Sequence, residues 1–351
     1  MTDNRERTMR LRAGSRLLRL LASLMWILLV VWVAVSVTFV LSRIVPADPA
    51  RLAAGLDAGP EQVAEVRAEM GLDQPLAAQY GRYLGDLITG DLGRSLQTRQ
   101  PVIDDLLTAL PASLELILAS YLIYAVIGIL AGIAWAYWPR GPHTLLLRFG
   151  AVIGVAVPVF WVGLVLQVVF AGKLQWFPVA GNFDFEGTGV PKVTGMGLVD
   201  TALTGQLPLI GEALRTLALP VVTLVVTHLA VTMTLMRSSL EEQLKRPYVR
   251  TARARGVKER RIVFVDALRN SLNPVVTMLG LQLGWSLGGV VIVEVIFSWP
   301  GFGLYAYQAF SAFDYNAIMA ITLLSTVVFV TVNALVGMIY PMLDPRLKEA
   351  R

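Results

Sequence analysis

The sequence predicts an all-α integral membrane protein with six transmembrane helices. Three observations carry that prediction. Of 351 residues, 55% are hydrophobic and only 16% charged, against about 25% charged in an ordinary soluble domain. Six windows contain no Asp, Glu, Lys or Arg: Leu20–Leu41, Leu116–Trp138, Phe149–Gly172, Thr216–Met236, Asn270–Val293 and Tyr315–Leu343. The Lys and Arg residues concentrate in alternate segments between those windows.

Each window has 21 residues or more. At a rise of about 1.5 Å per residue, about 20 residues cross a hydrocarbon core about 30 Å thick. A helix pairs its backbone polar groups internally, which lipid demands. The first window follows an Arg-rich tail, as a signal peptide would. Its apolar run exceeds the usual 7–15 or so residues and no small-x-small site follows, so it is expected to remain a span.

The windows divide the chain into a basic tail, 1–19, a first span, 20–41, a long loop, 42–114, a transmembrane domain, 115–343, and a second tail, 344–351. The tail 1–19 reads as a disordered, lipid-facing arm. With both tails inside, the inner segments hold 21 of the 30 Lys and Arg: six before the first span, two in 139–148, ten in 237–273 and three after the last span. That asymmetry follows the positive-inside rule. It predicts a multi-pass membrane protein with both termini cytoplasmic.

There is no cysteine, and the two histidines, His143 and His228, are far apart. Disulfides and cysteine metal sites are excluded, and a histidine metal site is not expected.

The 42–114 loop is long for a connection. In "GPEQVAEVRAEMGL", Pro60 suits a first helical turn, Val63, Val66 and Met70 recur at helical spacing, and Gly71 suits a C-terminal cap. In "QPLAAQYGRYLGDLITGDLG", Tyr80, Tyr83, Leu84 and Leu87 share a second face. Two amphipathic helices are therefore expected outside, either as a lid on the span ends or as a docking surface. The 173–215 loop, rich in Gly and Pro, reads as irregular, with Trp176 and Phe177 where interfacial aromatics belong.

The segment "PYVRTARARGVKERRIVFVDALRN", 247–270, is the most informative. Pro247 suits helix position N1, and Gly256 accepts the positive φ of a helix end. Ile262, Val265, Leu268 and Leu272 form one apolar stripe leading into the fifth window. Eight basic residues and one acid lie between Lys245 and Arg261. Such a segment can lie on anionic headgroups, enforce topology, or act as a knob that fits a partner protein. Nucleic acid is disfavoured, because no aromatic or base-reading motif accompanies the charge.

This segment resembles the cytoplasmic loop of binding-protein-dependent ABC importer permeases, in the dipeptide/oligopeptide branch. The wider superfamily has Glu-Ala-Ala, three residues, then Gly. Here Arg250-Thr251-Ala252 precedes three residues and Gly256. "VPADPA", "GLDQPLAAQYGRYLGDLITGDLGRSL", "ALRNSLNPVVT", "GGVVIVEVIFSWPGFG" and a final "DPR" are similar to the first of that branch's two permease subunits. Asn316, where the family often has Pro, and Asp266, where many members carry His, depart from it.

The resemblance implies that 115–343 is a permease domain and that 247–256 is a coupling helix. Tyr248, Val249, Ala252 and Gly256 would then supply the docking fit, with Arg250, Arg253 and Arg255 supplying charge and Thr251 completing the motif. No G-x-x-x-x-G-K-[ST] phosphate loop occurs in the chain. The protein is therefore expected to be no enzyme and to bind no cofactor or metal itself, with ATP and Mg on partner subunits. The implied partners are a second homologous permease, one or two ATP-binding subunits, an extracytoplasmic peptide-binding protein and the lipid bilayer. The cargo would be di- or oligopeptides; a nickel chelate or glutathione fits the same architecture.

The pathway is less legible. Gln282, Trp285, Glu294 and Met233 are the candidates for path or gate. Polar groups in or near the spans also include Glu115, Gln167, His228 and Asn333, each with a structural role as alternative. His228 reads as an interhelical partner or as a proton relay. "LGLQLGWSLGG" permits close helix approach or lines a path, and Met233, Met236 and Met278 read chiefly as packing. A self-sufficient secondary transporter would show more embedded ionisable residues and internal repeats, and a non-transporting scaffold is the remaining class.

Overall fold

The computed structural model describes residues 2–44, 48–55 and 57–343, with side chains at 22, 24–44, 48–55 and 57–336. Part of "VPADPA", the tail 344–351 with its "DPR", and the arginine side chains of the N-terminal tail lie outside the described residues. Among the described residues the chain is helical apart from turns, irregular loops and one isolated bridge, Arg94–Pro101. It divides into two compact units, Met1–Asp104 with Ala309–Leu335, and Asp105–Gln308 with Val336–Arg351.

In the first unit, α1 (Thr2–Ile44) runs unbroken from the tail into the first span. The expected disordered arm is therefore helical in its backbone. Its Arg, Leu, Met and Glu are good helix formers, no proline interrupts them, and the span supplies a nucleus from which helix propagates. The outer loop holds α2 (Pro49–Ala54), α3 (Pro60–Glu69) and α4 (Leu76–Thr89). Pro60 opens α3, and Gly71 follows its end at φ +63°. Tyr80, Tyr83, Leu84 and Leu87 are the half-buried side of α4. Phe39 of α1 packs on Tyr80 and Tyr83, ring centroids 5.2 and 5.7 Å away. Asp314 caps the helix that starts at Tyr315, accepting from Ala317 N, and also accepts from Ser95 Oγ at 2.6 Å and Leu96 N at 2.7 Å.

In the second unit, α5 (Val102–Tyr137) starts well before the charge-free window, so the long loop is shorter than 42–114. The third window is not one straight helix. It forms α6 (Pro142–Ala156) and α7 (Val159–Leu166), the latter continuing as a π turn, Gln167–Lys173, and the two arms meet at 110°. Pro158 lacks an N–H and holds Val157 extended, at φ −90° and ψ 126°, which ends α6. Among the described residues, five helices are long and apolar enough to cross a membrane, or six if that bent pair is one span.

The 173–215 loop is less irregular than expected. It carries α8 (Phe185–Thr188) and α9 (Gly197–Leu203), and α10 (Ile210–Leu244) begins inside it. Buried Asp200 organises the turn before it by accepting from Thr194 N at 2.8 Å and Gly195 N at 2.9 Å. The basic segment holds α11 (Pro247–Ala254) and α12 (Glu259–Arg261), a π turn, Ile262–Ala267, and then α13 (Leu268–Gly289). That π turn corrects the expected stripe. Val265 is 58% exposed, and the buried set is Ile262, Val263, Ala267, Ser271 and Val275. An i→i+5 turn inserts an extra residue and rotates the later positions. Beyond lie α14 (Val291–Ile296), α15 (Phe302–Ser311) and α16 (Tyr315–Leu343).

Glycine permits a close helix contact. A Cβ at Gly132 of α5 would meet the Met233 carbonyl oxygen and Met236 Cβ of α10 at 2.6 Å. Met233 and Met236 are both buried there, as packing residues.

Candidate functional site

The basic elbow is built by backbone rules. Arg246 is extended before Pro247, which starts α11 at a position needing no N–H bond. The helix ends in a Schellman pair: Gly256 N donates to Arg253 O at 3.0 Å and Val257 N to Ala252 O at 3.1 Å. Gly256 sits at φ +72°, where a Cβ is strained. Arg253 then bridges the bend. Its Nε donates to Glu259 Oε2 at 3.0 Å and its Nη2 to Oε1 at 2.5 Å. This bidentate pair ties α11 to α12, and Glu259 holds the Arg253 pKa above its ordinary value.

The predicted coupling residues separate into two sets. Val249 is fully buried on α11, a helix that packs on the π turn, so it faces inward rather than outward. Tyr248, Arg250, Thr251, Arg253, Arg255 and Gly256 are exposed, with Ala252 half-buried. Tyr248 Oη donates to Gln243 Oε1 at 3.1 Å, and Thr251 Oγ1 to Pro247 O at 3.1 Å. The outward surface is thus cationic and rigid, on a short helix that cannot rotate freely.

The path candidates do not form one cluster among the described contacts. Gln282 accepts from Thr232 Oγ1 at 3.4 Å, joining α13 to α10. Trp285 is 70% exposed. Glu294 is fully buried and serves the turn after α14. It accepts from Ser113 Oγ at 2.5 Å and Leu304 N at 2.9 Å, while Ser113 Oγ accepts from Phe302 N at 2.7 Å. The carboxylate thereby caps the N-terminus of α15. A Cβ at Gly301 would meet both Glu294 carboxylate oxygens at 2.5 Å, and one at Gly303 would meet Val291 Cα at 2.6 Å. Trp299, fully buried, donates its Nε1–H to Ala112 O at 2.9 Å. These contacts explain "EVIFSWPGFG" as one folded unit. Ser113 escaped the sequence reading because nothing local links it to a carboxylate 181 positions away.

Glu115 is buried and accepts from Gly197 N at 3.0 Å and Leu198 N at 2.6 Å. Gln167 Nε2 donates to Val179 O and Ile296 O, at 2.8 and 3.1 Å. Asn333 Nδ2 donates to Phe329 O within its own helix. His228 stacks on Tyr124 with centroids 5.2 Å apart and 23° between planes, its Nδ1 2.9 Å from Leu224 O. The two line a small cleft with Ser120, Ser286 and Gly289. Of the span-five glycines, Gly280 packs against Val336, whereas Gly288 and Gly289 face open space.

Comparison with known proteins adds the family. Residues 128–349 match the model described as binding-protein-dependent transport system inner membrane component, and residues 15–117 match the N-terminal model of such membrane components. The chain is 41% identical over 323 residues to the probable D,D-dipeptide transport system permease protein of Escherichia coli, covering 92% of this chain and 95% of that protein. It is 41% identical over 320 residues to a di/tripeptide transport system permease protein of Pseudomonas aeruginosa, with 90% and 94% covered. It is 34% identical over 311 residues to a glutathione transport system permease protein of Salmonella paratyphi A, with 88% and 92% covered. With both models matched and relatives aligned along nine-tenths of its length, the chain belongs to the binding-protein-dependent transport system inner membrane components, as a multi-pass permease of the ABC class.

Proposed function

We propose that this chain is one of two permease subunits of an ATP-driven importer, forming with the second the path for di- or oligopeptides delivered by a soluble binding protein. One or two separate ATPase subunits would dock on the exposed cationic face of α11. Both termini and α11 would then be cytoplasmic, and residues 42–101 external.

The observation that carries the reading is the elbow itself. A short helix is locked by Val249, by the Schellman turn at Gly256 and by the Arg253–Glu259 pair, and it presents Tyr248, Arg250, Thr251 and Arg255 outward. A rigid handle on a chain without a phosphate-binding loop suits an external motor. ATP-driven closure can shift the permease only by the difference in docking free energy between its states. The peptide substrate rests on the dipeptide and di/tripeptide names of relatives at 41% identity. The glutathione relative is more distant.

The test is reconstitution in liposomes with the second permease, the ATPases and the binding protein. Uptake of a labelled dipeptide should need ATP and every companion, with glutathione and a nickel chelate as competing cargoes. Solute uptake by this chain alone would overturn the reading.

A further inference from the structure

The first unit carries a groove that the transport reading does not use. It lies between α1 and α4, is about 460 Å³ in size, and is lined by Trp32, Phe39, Val40, Leu76 and Tyr80, with Arg43 at one end. Its wall presents hydrocarbon. Ser36 and Tyr80, its polar members, satisfy each other with an oxygen–oxygen distance of 2.6 Å, and Ser36 Oγ also donates to Trp32 O. Trp32, Val40 and Leu76 remain largely exposed.

Arg43 differs. Its guanidinium lies over the Phe39 ring, 5.1 Å from the centroid, and a stack of that kind uses none of its N–H donors. Nε is buried without a hydrogen-bond partner, and no ion pair to Arg43 occurs among the described residues. This half-buried cation beside an apolar groove has the Tyr315 phenol as an electrostatic neighbour and no carboxylate partner among the described residues.

Depth identifies the anion. Trp32 and Arg43 are eleven residues apart on a helix whose Leu24–Ile44 stretch is apolar enough to cross a membrane. That separation is about 16 Å, about half of a hydrocarbon core about 30 Å thick. The groove therefore runs the length of one leaflet, with its cation at the membrane surface. The occupant that combines an acyl chain of that length with an anion at that level is a phospholipid.

We infer that the α1–α4 groove binds an anionic phospholipid, its acyl chain along Trp32, Phe39, Val40 and Leu76 and its phosphate on the Arg43 guanidinium. The lipid would fasten α4 to the bilayer surface, whatever the chain transports.

The test uses the full chain in detergent, titrated with palmitoyl-oleoyl-phosphatidylglycerol and followed by native mass spectrometry. Arg43→Gln should weaken binding of one lipid about tenfold, the scale of a lost charge-assisted hydrogen bond, and Arg43→Lys should retain most of it. Leu76→Trp, which fills the groove and leaves Arg43 intact, should also lower occupancy. Ile88→Trp, elsewhere on α4, should not. A photo-crosslinker in place of Ala77 should add the mass of a lipid. Equal binding by Arg43→Gln, Leu76→Trp and the parent chain would overturn the inference. So would crosslinks from Ala77 to a protein chain, which would make the groove a helix-docking site, or glycerol phosphate binding as tightly as the lipid.

Discussion

Ser113 and Glu294 share a hydrogen bond of 2.5 Å across 181 residues of sequence, and both are fully buried. Together they receive the N–H groups of Phe302 and Leu304. Removing either leaves buried donors without acceptors. We expect Ser113→Ala to cost about 1–3 kcal/mol, the range for an unsatisfied buried group, and Glu294→Ala more. Thermal unfolding of the purified chain measures it, and an unchanged midpoint for Glu294→Ala would refute the capping role.

Steric room separates the glycines. Gly303→Ala drives a methyl into Val291 Cα and Gly301→Ala drives one into the Glu294 carboxylate, whereas Gly288 has nothing within 4 Å of its Cβ position. The first two should lower stability and expression. Gly288→Ala, on an exposed helical site, should be neutral or stabilise by about 0.5–1 kcal/mol. The same unfolding assay ranks all three.

The elbow gives a functional prediction. Gly256→Pro cannot hold φ +72° and loses the bond to Arg253 O, yet no side chain packs there. Membrane insertion should be unaffected. In the reconstituted complex, ATP hydrolysis should continue while dipeptide uptake falls at least tenfold. Wild-type uptake by this variant would remove the main support for docking at α11.

Asn316 stands at a position where the resemblance led to an expected Pro, and the structure supplies a use for it. Its Nδ2 donates to Arg94 O at 2.9 Å, fastening the 94–101 turn to the start of α16. Pro is tolerated in a first helical turn, so Asn316→Pro should keep α16 intact and cost only about 1 kcal/mol for the lost bond. Circular dichroism with thermal melting checks both halves; loss of helix content would contradict the local account.

His228 can be decided between partner and proton relay. Phenylalanine preserves a stack on Tyr124 but carries no proton. If the ring serves packing, His228→Phe should keep uptake within about twofold and His228→Ala should lower stability by about 1 kcal/mol or more. Abolished uptake in a well-folded His228→Phe protein would assign it the relay instead.

The sequence was most legible where physics is local. Pro60, Gly71, Pro247 and Gly256 mark helix ends that the structure reproduces, because each acts through its own φ or its missing N–H. It was least legible where geometry depends on partners. A π turn that no periodicity reveals turns Val265 out of the expected stripe, and Val249, expected in the docking fit, is buried. Glu294 offered itself as a gate because an intramembrane carboxylate usually signals function. Its actual neighbours, Ser113 and the α15 backbone, come from distant or unremarkable positions.

By itself the sequence determined that the chain lives in a bilayer, where its helices lie within a few residues to a few turns, and that a stiff basic elbow follows α10. Those features depend on the cost of exposing backbone to lipid and on the torsional limits of Pro and Gly, which act over a few residues. Only the tertiary structure decided the 110° break at Pro158, the burial of Glu294 as a cap, and the groove beneath Arg43. Each depends on which distant atoms fill the space around a group, and no short-range pattern carries that information.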